Sequence, residues 1–268
     1  TITGTLNSTP NTTFRIEFFA SENCSLVGFG EGQTFLGSAL VTTDGNGNVS
    51  FTESFPTTIP PSHYITMTAT DPANNTSEFS ACKPDTVITS AVDGNGLAVP
   101  NFDSTVSTSI TFTFESPDPG TFTFECSLDG AIFTACTSPT SYTGLGIGLH
   151  TFRVRARDTQ GRSDPTPARQ SWTILTPAQA IAKLINTINA SNLPAGQKTG
   201  LTAPLIEARN LLNDDIPNND STACPLLDAF IQQVEAKHQA GLLTDQQATD
   251  WTQAAQAIKT ALGCPNSP

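Results

Sequence analysis

Short runs in which apolar and polar residues alternate with a period of two, set off by turn residues, recur through the first 175 positions of the chain, and the period lengthens to that of a helix over the rest. In Thr13–Phe19, Phe14, Ile16 and Phe18 fall on one side and Thr13, Arg15 and Glu17 on the other, which predicts a half-buried strand. Gln33–Thr43 and Asn48–Glu53 read as two further strands, joined in a hairpin across Asp44-Gly45-Asn46-Gly47. His63–Thr70 follows, ending at a polar turn from Asp71 to Asn75. Strand number and spacing predict a β-sandwich over residues 1–84.

The next segment carries an internal echo. Thr111-Phe112-Thr113-Phe114-Glu115 recurs as Thr121-Phe122-Thr123-Phe124-Glu125 across a Ser-Pro-Asp-Pro-Gly loop, and this predicts a hairpin whose phenylalanines share the core face. Phe152, Val154 and Ala156 then alternate with Arg153, Arg155 and Arg157. A second sandwich is expected over residues 85–175.

At Thr176-Pro177 the spacing changes. Ile181, Leu184, Ile185 and Ile188 form a helical stripe behind an N-cap threonine and a proline in the first turn. Leu201, Leu205, Ala208 and Leu212 make a second stripe, which Pro204 is expected to kink or to start late. Leu227, Phe230, Ile231 and Val234 make a third, beginning after Thr222. Thr244 and Gln247 form a capping box for a fourth, which carries Trp251 and Ile258 and stops at Gly263. The expected fold class is therefore multi-domain: two all-β sandwiches, which the resemblance described below makes Ig-like, followed by an all-α, four-helix domain over residues 176–268.

The six cysteines sharpen this picture. Cys24 and Cys82 bracket the first segment, Cys126 and Cys136 lie within the second, and Cys224 and Cys264 bracket the third. One pair per segment predicts three disulfides and an oxidising, extracellular or cell-surface location. Antiparallel packing of the last two helices would bring Cys224 beside Cys264. The middle pair is the awkward one. A two-residue turn at Asp129-Gly130 would set Cys126 opposite Phe133, so a bridge to Cys136 needs a bulge or a longer loop.

Charged residues make up 13% of the chain and its net charge is −12, a balance that argues against nucleic acid as a partner. No apolar run approaches the roughly 20 residues needed to cross a bilayer. Opening on Thr1 without Met or a signal peptide, the chain is expected to be a processed product or an excised fragment, with any anchor outside these residues.

Several segments carry a family likeness. Ile2–Leu6, Asn11–Phe19, Gly28–Gly37 and Thr68–Asp71 through Thr76–Ser80 resemble a sandwich module of large bacterial surface proteins, one that follows CSLREA-type β-helices. Phe124–Gly130, Ser141–Leu145 and His150–Ala156 resemble a bacterial Ig-like domain. The last ninety residues, with Leu193-Pro194 and Ala261-Leu262-Gly263-Cys264, are similar to the FIMAH-type helical domain of secreted bacterial proteins, with Pro204 as a departure. These resemblances imply an accessory, exported region without a catalytic residue of its own.

No nucleophile elbow and no paired metal-binding histidines occur, and His63, His150 and His238 fall one to a segment, so no enzyme is expected. Asp214-Asp215 reads as a solvated turn. Asp44, Asn46 and Asn48 mimic the first half of a calcium loop, yet Phe55 stands where the bidentate glutamate belongs; a hairpin turn explains the same letters. Asp93-Gly94-Asn95-Gly96 reads the same way. Asp71 and Asp158 end strands near the expected boundaries and are calcium candidates against an Asx-turn default. No other cofactor is expected. Arg153, Arg155 and Arg157 are candidates for an acidic polysaccharide, against the default of an outer face neutralised by neighbouring carboxylates. The expected partner is a protein, a cell-surface glycan or a neighbouring copy of the chain, and the expected role is structural, adhesive or in assembly. The alternative is the accessory or glycan-binding region of a secreted carbohydrate-active enzyme whose catalytic part lies upstream, and exposure of Trp172 and Tyr64 is the feature that would favour it.

Overall fold

The computed structural model describes residues 1–25, 28–59, 63–82, 84–118, 120–159, 161–213 and 222–265. Sandwich-forming β-sheets occupy the first part of the chain and four helices the last. Two compact units divide it, Thr1–Thr89 with Thr113–Pro139 and Phe152–Arg169, and Ser90–Phe112 with Thr140–Thr151 and Gln170–Pro268.

The opening strands are β1 (Ile2–Asn7), β2 (Thr13–Ser21), β3 (Thr34–Thr42), β4 (Asn48–Glu53) and β5 (Tyr64–Thr70). β1 pairs with β4, and a second sheet has the order β3-β2-β5. Phe14, Ile16, Phe18 and Ala20 point into the space between the sheets, as the alternation requires, and Phe18 packs against Phe51 and Phe55 at ring distances of 5.9 and 5.0 Å. The expected hairpin across Asp44–Gly47 is corrected: the turn forms, but β3 and β4 enter different sheets. Alternation reports which face of a strand is buried; it carries no information on which strand lies alongside.

The register of β2 on β3 slips between Phe18 and Phe19, so that Leu36 is the extra residue of a bulge. Phe19 then packs on the other face of the sheet with Phe35 and Phe79, at 5.5 and 5.2 Å. Cys24–Cys82 staples the segments that cover this face, where Phe29 bridges to Ala81. Ser77 and Ser80 close the free edge of β5: their hydroxyls accept from Ala69 N and Met67 N, both at 3.0 Å.

The second set comprises β6 (Val87–Asp93), β7 (Asp103–Thr105), β8 (Ile110–Glu115), β9 (Phe122–Leu128), β10 (Thr134–Cys136), β11 (Thr140–Tyr142), β12 (Gly148–Asp158) and β13 (Ala168–Ile174). They form sheets of order β11-β8-β6 and β10-β9-β12-β13-β7, with β7 parallel to β13. Here too a hairpin is corrected. β8 and β9, the two echoing segments, lie in different sheets, and Phe114 and Phe124 meet with ring centroids 5.1 Å apart. The prolines of the connecting loop cannot donate to a ladder, which suits a crossing between sheets better than a tight hairpin.

β9 and β10 do turn tightly at Asp129-Gly130, both with positive φ, and Ala131 N donates to Leu128 O. One residue of slip then sets Cys126 opposite Thr134 and Cys136 opposite Phe124, so the bridge runs diagonally across the pair with Cα atoms 5.8 Å apart.

The helices are α1 (Pro177–Ala190), α2 (Ala195–Leu211), α3 (Ala223–Gln239) and α4 (Asp245–Ala261). Capping boxes start α1 and α4, with Gln179 N donating to Thr176 and Gln247 N to Thr244. α2 begins at Ala195 and continues through Pro204 rather than starting late. Their core, which includes Ile181, Ile188, Leu201, Leu205, Leu227, Phe230 and Trp251, also takes in Val106, with Leu97 and Leu175 packed against it. Cys224–Cys264 joins the first turn of α3 to the residue following Gly263 after α4.

Candidate functional site

One turn is built four times. The backbone carbonyls of Asp44, Asp71, Asp93 and Asp158 each accept the N–H of the residue three positions on, and their own N–H groups donate to the carbonyl of the residue four on. The fourth turn residue has positive φ each time, at Gly47, Asn74, Gly96 and Gly161. In each, one carboxylate oxygen accepts the N–H four residues ahead, from Asn48, Asn75, Leu97 and Arg162 at 2.9–3.0 Å. These N–H donors hold the Asp44 carboxyl below its ordinary value; for Asp71 the Asn75 side chain acts first and the backbone next. The calcium candidates Asp44, Asp71 and Asp158 thus serve as the acceptors of Asx-type turns. Their second oxygens differ: Asn75 Nδ2 binds that of Asp71 at 2.8 Å, and Arg162 Nε that of Asp158 at 2.7 Å. Among the described residues no three His, Cys, Asp or Glu side chains gather as metal ligands.

On β12, Arg155 and Arg157 share one counter-ion. Glu125 of β9 receives Arg155 Nε at 2.7 Å and Arg157 Nη1 at 3.4 Å, and the Arg155 guanidinium lies 4.3 Å from the centre of the Phe133 ring. Arg153 is exposed, opposite Ser127.

The histidines are dispersed. The His63 carbonyl accepts from Arg162, His150 bonds to the Gly146 carbonyl beside the Trp172 ring, and His238 pairs with Asp245 at 2.7 Å. Trp172 is fully buried, and Tyr64 is half-buried with its hydroxyl donating to the Ser163 carbonyl, so neither is an exposed aromatic side chain. Asp214-Asp215 lies outside the described residues.

Two features escaped sequence reasoning. The loop after β12 reaches β5: Arg162 Nη1 donates to His63 O at 3.2 Å and Tyr64 OH to Ser163 O at 2.8 Å. Asp164, in that loop, is 2% exposed; one oxygen accepts from Thr166, while Oδ2 is buried without a hydrogen bond of normal geometry. Burial pushes its carboxyl above the ordinary range, against the pull of Thr86 and Thr166.

The other feature is a cleft of about 590 Å³ between the Leu97–Val106 segment and helices α1 and α4. Leu97, Val106, Leu184, Trp251, Ala254 and Ile258 supply its apolar lining. Lys183 Nζ lies in the lining too, 2.5 Å from Asp103 Oδ1 and 2.9 Å from Ser104 Oγ. Burial works against ionisation of Asp103, but Lys183 and the Ser104 N–H outweigh it and hold the carboxyl below its ordinary value. No letter pattern marks this cleft, because its walls come from three segments far apart in the chain, with Lys183 and Asp103 alone separated by 80 positions.

No family model matches the chain, and no curated protein matches it. Its likeness to solved structures is distant. The extracellular domain of a putative one-component system from B. thetaiotaomicron aligns at 9% identity over 53% of this chain and 28% of that one, with a TM-score of 0.31. Dimeric latent PorU from Porphyromonas gingivalis aligns at 14% identity over 61% and 20%, with a TM-score of 0.26. A C-terminal fragment of intimin, solved with the intimin-binding domain of its translocated receptor, aligns at 15% over 77% and 70%, with a TM-score of 0.23. The chain thus spans under a third of the first two. No described helix is long and apolar enough to cross a membrane.

Proposed function

We propose that the chain is a non-catalytic extracellular module of a bacterial surface protein, two Ig-like sandwiches and a helical domain acting in attachment or assembly. One observation carries this reading: all six cysteines are paired, each pair closing a bridge within a local segment of the fold. Such a set of bridges is maintained in an oxidising compartment. The domain limits 1–84, 85–175 and 176–268 belong to this proposal, as does the family likeness to the sandwich, Ig-like and FIMAH-type modules. The alternative of a glycan-binding accessory region draws no support from Trp172 or Tyr64.

The test is saturable binding of the labelled, oxidised chain to bacterial envelope preparations. Loss of binding after protease treatment of the envelopes identifies a protein partner, and loss after periodate identifies a glycan. Binding that never saturates, or that survives both treatments, contradicts the proposal.

A further inference from the structure

Phe102 is held in an unfavourable conformation with nothing inside the protein to show for it. Its φ is +64° and its side chain is 77% exposed. A bulky residue in the left-handed region is a true outlier, and such residues persist only where their surroundings over-determine them. Three hydrogen bonds do so here. Asp103 N closes the turn on Pro100 O at 3.1 Å, Phe102 N donates to Ser171 O at 2.7 Å, and Asn101 Oδ1 accepts from Ser171 N at 2.8 Å. The next two residues, Asp103 and Ser104, are the ones that hold Lys183 in the lining of the cleft between α1 and α4. A strained turn therefore fixes both an outward phenylalanine and the charged edge of a hollow floored by Leu184, Trp251 and Ile258.

The charges around that hollow are unequal. Lys183, the one cation of the lining, is paired with Asp103, and the carboxylate of Asp93 is engaged by Asn95, Leu97 and Thr105, which leaves Asp250 as the lining acid with no cation of the lining beside it. Asp250 is exposed, with Gln246 Nε2 2.6 Å from its carboxylate. The whole chain carries −12. A hollow with an apolar floor and an acidic mouth favours an apolar group flanked by positive charge.

We propose that this cleft receives an extended peptide segment of a partner protein, seating one large apolar side chain on the floor beside a lysine or arginine that meets Asp250. The proposal deepens the attachment reading above by naming the site and the chemistry of the partner.

The test is selection of peptides from a random displayed library on the intact chain, with counter-selection on Ala254→Trp, which fills the floor. Asp250→Lys, at an exposed position, is the second variant, and both must keep the melting temperature of the parent. Surviving peptides pair a large apolar residue with Lys or Arg, and a synthetic copy binds at least tenfold more weakly to Asp250→Lys. The proposal is overturned if nothing survives counter-selection, if the survivors lack a basic residue, or if Asp250→Lys binds them equally well. Selection without any envelope binding by the whole chain would leave the cleft standing and remove the attachment reading instead.

Discussion

Tyr64 and Ser163 are 99 positions apart in the chain, and the tyrosine hydroxyl donates to the serine carbonyl at 2.8 Å. The neighbouring pair repeats the link in the opposite sense, with Arg162 donating to the carbonyl of His63. Arg162 is itself fixed by Asp158, 2.7 Å away and mostly buried. A loop between two strands is thereby tied to the start of a strand in another sheet.

Tyr64→Phe removes one hydrogen bond from this tie and leaves a carbonyl unsatisfied. It should cost about 1 kcal/mol. Thermal unfolding followed by near-ultraviolet circular dichroism checks it; an unchanged melting temperature would show that the loop is held by packing alone.

Helix caps give a second prediction. Thr176 and Thr244 each accept an N–H from a glutamine whose side chain accepts the threonine's own N–H. Thr244→Ala should lower stability by about 1 kcal/mol and Thr244→Ser by much less. Denaturant unfolding of the two variants side by side gives the comparison.

Much of this was legible in the sequence. Thr176, Pro177, Thr244 and Gln247 announce helix starts because capping is local chemistry, read within four residues. Phe14, Ile16 and Phe18 announce a buried face for the same reason. The cysteine spacing names the same three pairs that the structure joins, since each bridge, at separations of 58, 10 and 40 positions, closes within one stretch of the chain and the three do not overlap. The strand partners were not legible. β3 and β4, like β8 and β9, look like hairpins because turn residues and alternation are shared by hairpins and by crossings between sheets. Asp164, Phe102 and the cleft were hidden for a related reason. Asp164 is buried by the fold around a loop, Phe102 is strained by bonds to Ser171, and Lys183 meets Asp103 only after α1 has packed.

Acid titration should separate two aspartates of opposite sign. The folded-state pKa of Asp71 is depressed, so its contribution is present above the ordinary carboxylate value of about 3.9 and is lost as pH falls through the folded value. That of Asp164 is raised, so stability is fully present below about 3.9 and is lost as pH rises through the folded value. The melting gap between wild type and Asp71→Asn should therefore be widest at neutral pH and shrink in acid. Against Asp164→Asn, the wild type should lose ground as pH rises. Parallel pH profiles for the two variants would contradict the assignment.

Removing the small staple has a calculable effect. Cys126 and Cys136 close a loop with a sequence separation of 10, and in the chain-entropy model the double replacement by alanine costs about 3 kcal/mol. Cys224 and Cys264, with a separation of 40, should cost about 4 kcal/mol. Urea unfolding of both double variants measures the order, and equal or reversed losses would show that strain or packing outweighs loop length.

The central claim is that the chain lives in an oxidising, extracellular setting as a stapled surface module. The most direct measurement is a count of free thiols, with non-reducing peptide mapping, on the protein recovered from surface and cytosolic fractions of the cells that make it. The account predicts that it is found in the surface fraction with no free thiols and with the links Cys24–Cys82, Cys126–Cys136 and Cys224–Cys264. A protein recovered from the cytosol with six free thiols, or one whose bridges link different segments, would contradict it.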